Sequence, residues 1–200
     1  MPLLEDIKKG AEIITGIRRP DWVDVATRPR KANAYRFRDD GNTPNNPRFP
    51  LIHYRGAVVL DPAYDPAALF EVLFEYYDWV DQWRDGIYPY LHFHTKTHEV
   101  LGVSRGTARV QFGGAHGRTI ALKAGDVVVL PAGTGHRRIH ASDDLLVVGA
   151  YPKGGDYDEP KPDEVDGKRA RNRIAAVPLP RTDPVYGRDG PLRKIWRGTK

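Results

Sequence analysis

Residues 86–106 read GIYPYLHFHTKTHEVLGVSRG, and residues 125–136 read GDVVVLPAGTGH. Residues two apart in a strand point to the same face, so His92 and His94 enter one space. Glu99 follows a short polar turn and starts the next predicted strand beside them. His136 opens a later strand, directly after the glycine-rich PAGTG turn. The spacing predicts that His92, His94, Glu99 and His136 converge on one ion.

The predicted donor set consists of three imidazoles and one carboxylate. The sequence contains no cysteine, which excludes disulfides, thiolate ligands and cysteine nucleophiles. A nitrogen and oxygen set of this kind suits one divalent transition metal, and Fe, Mn, Ni, Co and Zn all remain open as its identity. If the metal is octahedral, these four ligands leave two positions for water, O₂ or substrate.

Both segments resemble the two sequence motifs of the cupin family at the positions that the motifs specify: Gly86, His92, His94, Glu99, Gly106, Gly125, Pro131, Gly133 and His136. One departure is His140, which stands where the second motif commonly ends in Asn. A closer resemblance, to the YjlB-type cupins, runs from about Tyr35 through FRDDGNTPNNPRFPLIHYRGA to VPLPRTDPVYGRDGPL at 177–192. The resemblance implies a double-stranded β-helix (jelly-roll) barrel, a metal inside its mouth and often a homodimer, but no particular reaction.

The pattern of apolar runs and turns in the remaining chain agrees with an all-β fold. Short apolar or alternating runs between residues 88 and 151 are separated by glycine-rich turns, which is typical of a barrel or sandwich. We expect an N-terminal extension over 1–33, partly helical at 3–14, the cupin barrel over 34–151, and an irregular C-terminal wrap of the same domain over 152–200.

One packed helix is predicted over about 66–85. Asp65 can cap its first turn, and Pro66 suits the first helical position. An apolar stripe then recurs at steps of three and four residues: Leu69, Leu73, Tyr76, Val80 and Trp83.

Three further residues are candidates for a substrate pocket. Tyr88 and Tyr90 share the strand parity of His92, and Arg138 shares that of His136, so all three could face the cavity. Tyr90 and Arg138 are also the candidate catalytic groups, an acid–base group and an anchor for an anionic substrate. The other histidines receive structural or solvated roles: His98 outside the barrel, His53 in the structure and His116 at a hairpin tip.

The charge distribution disfavours nucleic acid as a partner. The formal charge of +5 divides into +2 over 1–33, −1 over 34–151 and +4 over 152–200. A nucleic-acid binder usually concentrates positive charge on its folded surface, whereas the dense basic run here, KRARNR at 168–173, lies in the tail. No apolar run is long enough for a signal peptide or a membrane span, so we expect a cytoplasmic protein that does not contact membranes.

Two functions of different classes remain open from the sequence. The first is a metalloenzyme acting on a small polar metabolite, with oxidation as the first guess and isomerisation or decarboxylation as alternatives. The second is a non-catalytic cupin that binds or senses a small molecule through its metal. The fold does not choose between them, because one fold hosts many reactions.

Overall fold

The structure, a computed structural model, describes Val23 and residues 25–199. Most of the predicted N-terminal extension, including the helix at 3–14, lies outside the described residues. Nine strands occur in the described part of the chain: β1 (Asn33–Tyr35), β2 (Leu51–Tyr54), β3 (Trp79–Asp85), β4 (Glu99–Arg105), β5 (Thr107–Phe112), β6 (Arg118–Lys123), β7 (Val127–Leu130), β8 (His136–Ala141) and β9 (Leu146–Pro152).

The strands form two antiparallel sheets. Six strands pair in the order β1-β2-β7-β4-β9-β3, and three pair in the order β6-β5-β8. In β5, buried Ala108, Val110 and Phe112 alternate with less buried residues, as expected for a strand with one face on a core. These side chains meet Leu101 and Val128 of the larger sheet between the two layers. The predicted all-β jelly-roll barrel is confirmed.

The predicted helix is confirmed only in its first half. Helix α1 spans Pro66–Tyr76, and the carboxylate of Asp65 accepts from the amide of Ala67 at 3.1 Å, as predicted for the cap. Residues beyond it are not helical, because Asp78 adopts a φ of 60° and the chain continues as β3. The prediction for 77–85 is therefore wrong.

A β-bulge explains the misleading periodicity of this stretch. Val80 pairs with Tyr151 and Trp83 with Gly149, so three steps along β3 match two steps along β9. Asp81, within the bulge, has a φ of 55°. The extra residue gives an edge strand the three-residue spacing of a helix.

The expectation of an irregular C-terminal segment is also corrected. Residues 152–200 contain a 3₁₀ turn, helix α2 (Gly167–Ala176) and helix α3 (Pro191–Arg197). Helix α2 buries only Ala170 and Ile174, so its apolar stripe is too narrow to be recognised in the sequence. In α3, Trp196 is 1% exposed and stacks on Phe49, with ring centroids 4.7 Å apart. Within residues 23 and 25–199, no helix is long and apolar enough to cross a membrane.

Candidate metal centre

The four predicted ligands come together where the two sheets meet. Glu99 is the first residue of β4 and His136 the first of β8. His92 and His136 exchange two backbone hydrogen bonds, from the His92 amide at 3.3 Å and from the His136 amide at 2.9 Å, which ties the segment before β4 to β8. His92, His94 and His136 offer nitrogen atoms that all lie within 4.8 Å of one another, so this buried group could hold a metal ion.

Each of the three imidazoles is oriented by a backbone carbonyl. The Nδ1 of His92 lies 3.3 Å from the carbonyl oxygen of Tyr90, and the Nδ1 of His136 lies 3.1 Å from that of Thr134. The Nδ1 of His94 lies 2.5 Å from the carbonyl oxygen of Asp158. A carbonyl can only accept, so in each ring Nδ1 donates and Nε2 presents its lone pair. This is the usual arrangement around metal-binding histidines.

The carboxylate of Glu99 lies against those lone pairs. Its Oε2 is 3.2 Å from the Nε2 of His94 and 3.4 Å from the Nε2 of His136. Glu99 is 2% exposed and His94 4% exposed, yet neither this oxygen nor the Nε2 of His94 has a hydrogen-bond partner. Two buried acceptors that face each other need a cation between them. A proton on His94 or a metal ion would satisfy both, and three imidazoles with one carboxylate fit a transition metal.

The electrostatics of the cluster favour neutral His92 and His136 beside an ionised Glu99. Burial lowers the pKa of His136 to about 3, helped by the neighbouring His92. Burial also lowers the pKa of His92, and His94 lowers it further. For Glu99, burial alone would raise the pKa, but the nearby histidines, His94 above all, bring it down to about 2. For His94, burial acts downward, but the Glu99 carboxylate raises its pKa above the ordinary value. His94 is thus the imidazole that holds a proton most readily.

A cavity of about 520 Å³ opens over the cluster. Of the pocket residues predicted from the sequence, Tyr88 lines it, whereas Tyr90 and Arg138 are not among its described lining residues. Tyr90 stacks on Tyr88, with centroids 4.8 Å apart, and its hydroxyl donates to Glu159 at 3.0 Å. Burial and this carboxylate raise the pKa of Tyr90 to about 12. Arg138 meets Tyr88 through its backbone amide, which donates to the Tyr88 carbonyl at 2.8 Å.

The other histidines lie away from the cluster. His98 is buried, as Nε2 contacts the carbonyl of Pro178 at 3.0 Å and Nδ1 accepts from the amide of Ala132 at 2.9 Å. Burial lowers its pKa to about 4. His53 is buried beside Asp126 at 3.2 Å, and His116 and His140 are exposed.

Sequence reasoning missed the segment 155–160, called the strap below. The carboxylate of Asp158 accepts from the amide of Thr95 at 2.7 Å, its hydroxyl at 2.5 Å and the amide of Lys96 at 3.2 Å. The strap also supplies Tyr157 and Glu159 to the cavity wall. These contacts join residues more than 60 positions apart in the sequence, so no local sequence pattern predicts them.

Comparison with known proteins places these features in a family. The cupin domain family model matches residues 85–148. The chain is 40% identical over 167 residues to the uncharacterized protein YjlB of Bacillus subtilis (strain 168), covering 84% of this chain and 98% of that protein.

Similarity to solved structures is much lower. A variant of Bacillus subtilis oxalate decarboxylase is 23% identical, with a TM-score of 0.35, over 56% of this chain and 27% of that chain. The 11S globulin from Wrightia tinctoria is 15% identical, with a TM-score of 0.32, over 46% of this chain and 29% of that chain. This chain spans less than a third of either, and at this level the likeness says nothing about its activity.

Proposed function

Because this chain belongs to the YjlB-like cupins, we propose that it is a metal-dependent protein acting on a small polar metabolite. One divalent transition metal is held by His92, His94, Glu99 and His136. The observation that carries the proposal is the pair of buried, unpartnered acceptors, the Nε2 of His94 and the Oε2 of Glu99, which face each other at 3.2 Å. A proton alone would satisfy that pair, but it would leave the other two inward-facing Nε2 atoms without a role.

The cavity above the cluster supplies room for the ligand. A bound divalent ion would act there as a Lewis acid on an oxygen-bearing ligand. Tyr151 lines the same wall, and its hydroxyl accepts from the indole nitrogen of Trp83 at 2.9 Å. Burial and the carboxylate of Glu99 raise the pKa of Tyr151, so it stays protonated and serves as a fixed donor beside the site. We propose oxidation as the first reaction to test, with iron or manganese, followed by isomerisation and decarboxylation.

A non-catalytic role is the second candidate, and the position of Tyr90 favours it. Tyr90 is the acid–base group predicted from the sequence, but it is not among the described lining residues of the cavity, and its hydroxyl donates to Glu159. General acid–base catalysis needs a group within hydrogen-bond reach of the bound substrate. A cupin that binds or senses a small molecule through its metal needs no such group.

Elemental analysis of the tag-free protein tests the metal site. We expect about one transition metal per chain in the wild type and its loss in Glu99→Gln, because the amide cannot supply an anionic ligand. Glu159→Gln is the matched control, since this residue lines the same cavity but is not a predicted ligand, and it should keep the metal. Full metal content in Glu99→Gln would refute the ligand assignment. No metal after reconstitution would refute the metal-dependent function.

Catalysis and binding are separated on the same sample. Small molecules released from the purified protein are identified by mass spectrometry and then incubated aerobically with the metal-loaded protein. A product that forms with the wild type but not with Glu99→Gln supports the proposal that the protein is an enzyme. A tightly bound molecule that returns unchanged supports the binding protein.

A further inference from the structure

The mouth of the cavity is acidic. Four carboxylates line it above the cluster: Asp81, Asp85, Asp156 and Glu159. The floor below them holds the buried acceptors of His94 and Glu99, which the metal of the proposed function would satisfy.

No free cation balances these carboxylates within the described lining. The lining cation is Arg84, and its Nε and one terminal nitrogen donate to both oxygens of Glu71, at 2.6 and 2.7 Å. Its other terminal nitrogen donates to Asp65 at 2.8 Å. Lys96, near the rim, pairs with Asp156 at 2.6 Å. Apart from the metal of the proposed function, a carboxylate ligand would therefore meet no unengaged positive charge among the described lining residues.

Aromatic rings complete the wall. Trp83, Tyr88, Tyr151 and Tyr157 all line the cavity, and Tyr88 and Tyr157 are 42% and 49% exposed. The face of an aromatic ring carries negative potential and attracts organic cations, and carboxylates beside it strengthen the attraction. Aromatic and acidic groups together are the chemistry of ammonium recognition.

The backbone around Asp81, one of the lining carboxylates, adopts an unfavourable conformation. Asp81 lies in the β3 bulge with a φ of 55°, a conformation that non-glycine residues seldom adopt. Bulges beside functional sites redirect a side chain, and here the redirected residue lines the cavity. The bulge in β3 thus places the carboxylate of Asp81 in the mouth of the cavity.

We propose that the cavity takes a small organic cation, an amine or quaternary ammonium compound that also carries a neutral oxygen, and discriminates against carboxylates. The oxygen would face the metal cluster, and the positive group would lie among the carboxylates and rings of the mouth. The inference rests on the proposed function only in taking this cavity as the ligand site.

Matched probes test the charge preference directly. Choline and 3,3-dimethylbutan-1-ol have the same shape and the same hydroxyl but differ in charge, and 3-hydroxypropanoate supplies the anion. We expect choline to bind the full-length protein about tenfold more tightly than the neutral isostere in calorimetric titration. We expect 3-hydroxypropanoate to bind more weakly than either.

Charge-neutralising variants locate the effect. Asp81→Asn keeps a residue that tolerates positive φ, and Glu159→Gln keeps an acceptor for the tyrosine hydroxyls, so both should fold. Each should weaken choline binding about threefold to tenfold and leave the neutral isostere unchanged. Asp143→Asn, an exposed residue outside the cavity, is the matched control and should change neither.

Three results would overturn the inference: tighter binding of 3-hydroxypropanoate than of choline, no choline binding at millimolar concentrations, or unchanged choline binding in both cavity variants. Elemental analysis of the same samples keeps the two proposals apart. A metal lost in Glu99→Gln without charge selectivity overturns only the ligand class. Charge selectivity in a protein that holds no metal overturns only the metal-dependent function.

Discussion

Replacing Asp158 with alanine should weaken metal binding even though its side chain is not a predicted ligand. The carboxylate of Asp158 accepts three hydrogen bonds, from the amide and hydroxyl of Thr95 and the amide of Lys96. The carbonyl of the same residue accepts from the Nδ1 of His94. One residue of the strap thus both anchors the strap and orients a predicted ligand.

The size of the effect follows from those contacts. Hydrogen bonds to a carboxylate contribute about 1.5–3 kcal/mol each when buried, and less at a partly exposed residue such as Asp158. Thr95 is fully buried, so its freed amide adds a desolvation penalty of about 1–3 kcal/mol. Removing the Asp158 carboxylate should therefore weaken the attachment of the strap by a net free energy of about 2–4 kcal/mol. Once the strap is displaced, His94 loses its orienting carbonyl, which lowers metal affinity by about 10–100-fold.

Competition with a chromophoric chelator measures this affinity in the full-length protein. Asp156→Ala is the matched control on the same strap. Its ion pair with Lys96 is solvent-exposed, since the Asp156 side chain is 75% exposed, and such pairs contribute about 0–1 kcal/mol. We therefore expect Asp156→Ala to bind metal like the wild type. If Asp158→Ala also binds like the wild type, the strap does not orient His94 and the reasoning fails.

Two further predictions concern protonation and the C-terminal helix. Metal affinity should fall about tenfold per pH unit once the pH drops below the pKa of His94, because that pKa is raised and metal must displace its proton. Glu99 and His136, with pKa values of about 2 and 3, are deprotonated above pH 4, and the pKa of His92 is also lowered. Below the pKa of His94, calorimetry in buffers of different ionisation enthalpy should therefore detect about one proton released on metal binding, whereas three would contradict the assignment. Trp196→Ala should lower the free energy of unfolding by about 3–5 kcal/mol in urea, because the buried indole stacks on Phe49, whereas exposed Arg197→Ala should change it little. A small effect of Trp196→Ala would argue against the prediction that residues 152–200 belong to the barrel domain.

The barrel and the ligand cluster were predictable because their determinants are local. Each motif contains a strand, a turn and a predicted ligand within about 20 residues. His92, His94 and Glu99 need only strand parity and one short turn to come together. The structure brings these side chains together with His136, and their role as ligands stays a proposal. The alternation of buried residues in β5 is local in the same sense.

Features that depend on distant partners were not predictable. The β3 bulge gives Val80 and Trp83 the spacing of a helix, so the sequence predicts a helix that is too long, and only pairing with β9 reveals the strand. Tyr90 shares the parity of His92, but parity holds only in a regular strand, and here Glu159 of the strap binds its hydroxyl. The strap itself carries no periodic pattern, so nothing in the sequence connects it to the cluster.

The link between His94 and the strap also sets an order of assembly during synthesis. His94 and Asp158 are 64 residues apart, and all four predicted ligands precede the strap in the chain. Domains fold as the chain emerges from its N-terminus, so the ligands leave the ribosome before the carbonyl that sets the tautomer of His94. Until Asp158 has emerged, its carbonyl cannot fix which ring nitrogen of His94 carries the proton. We therefore expect the complete chain, and not the nascent one, to present His94 in the orientation that the proposed metal site needs.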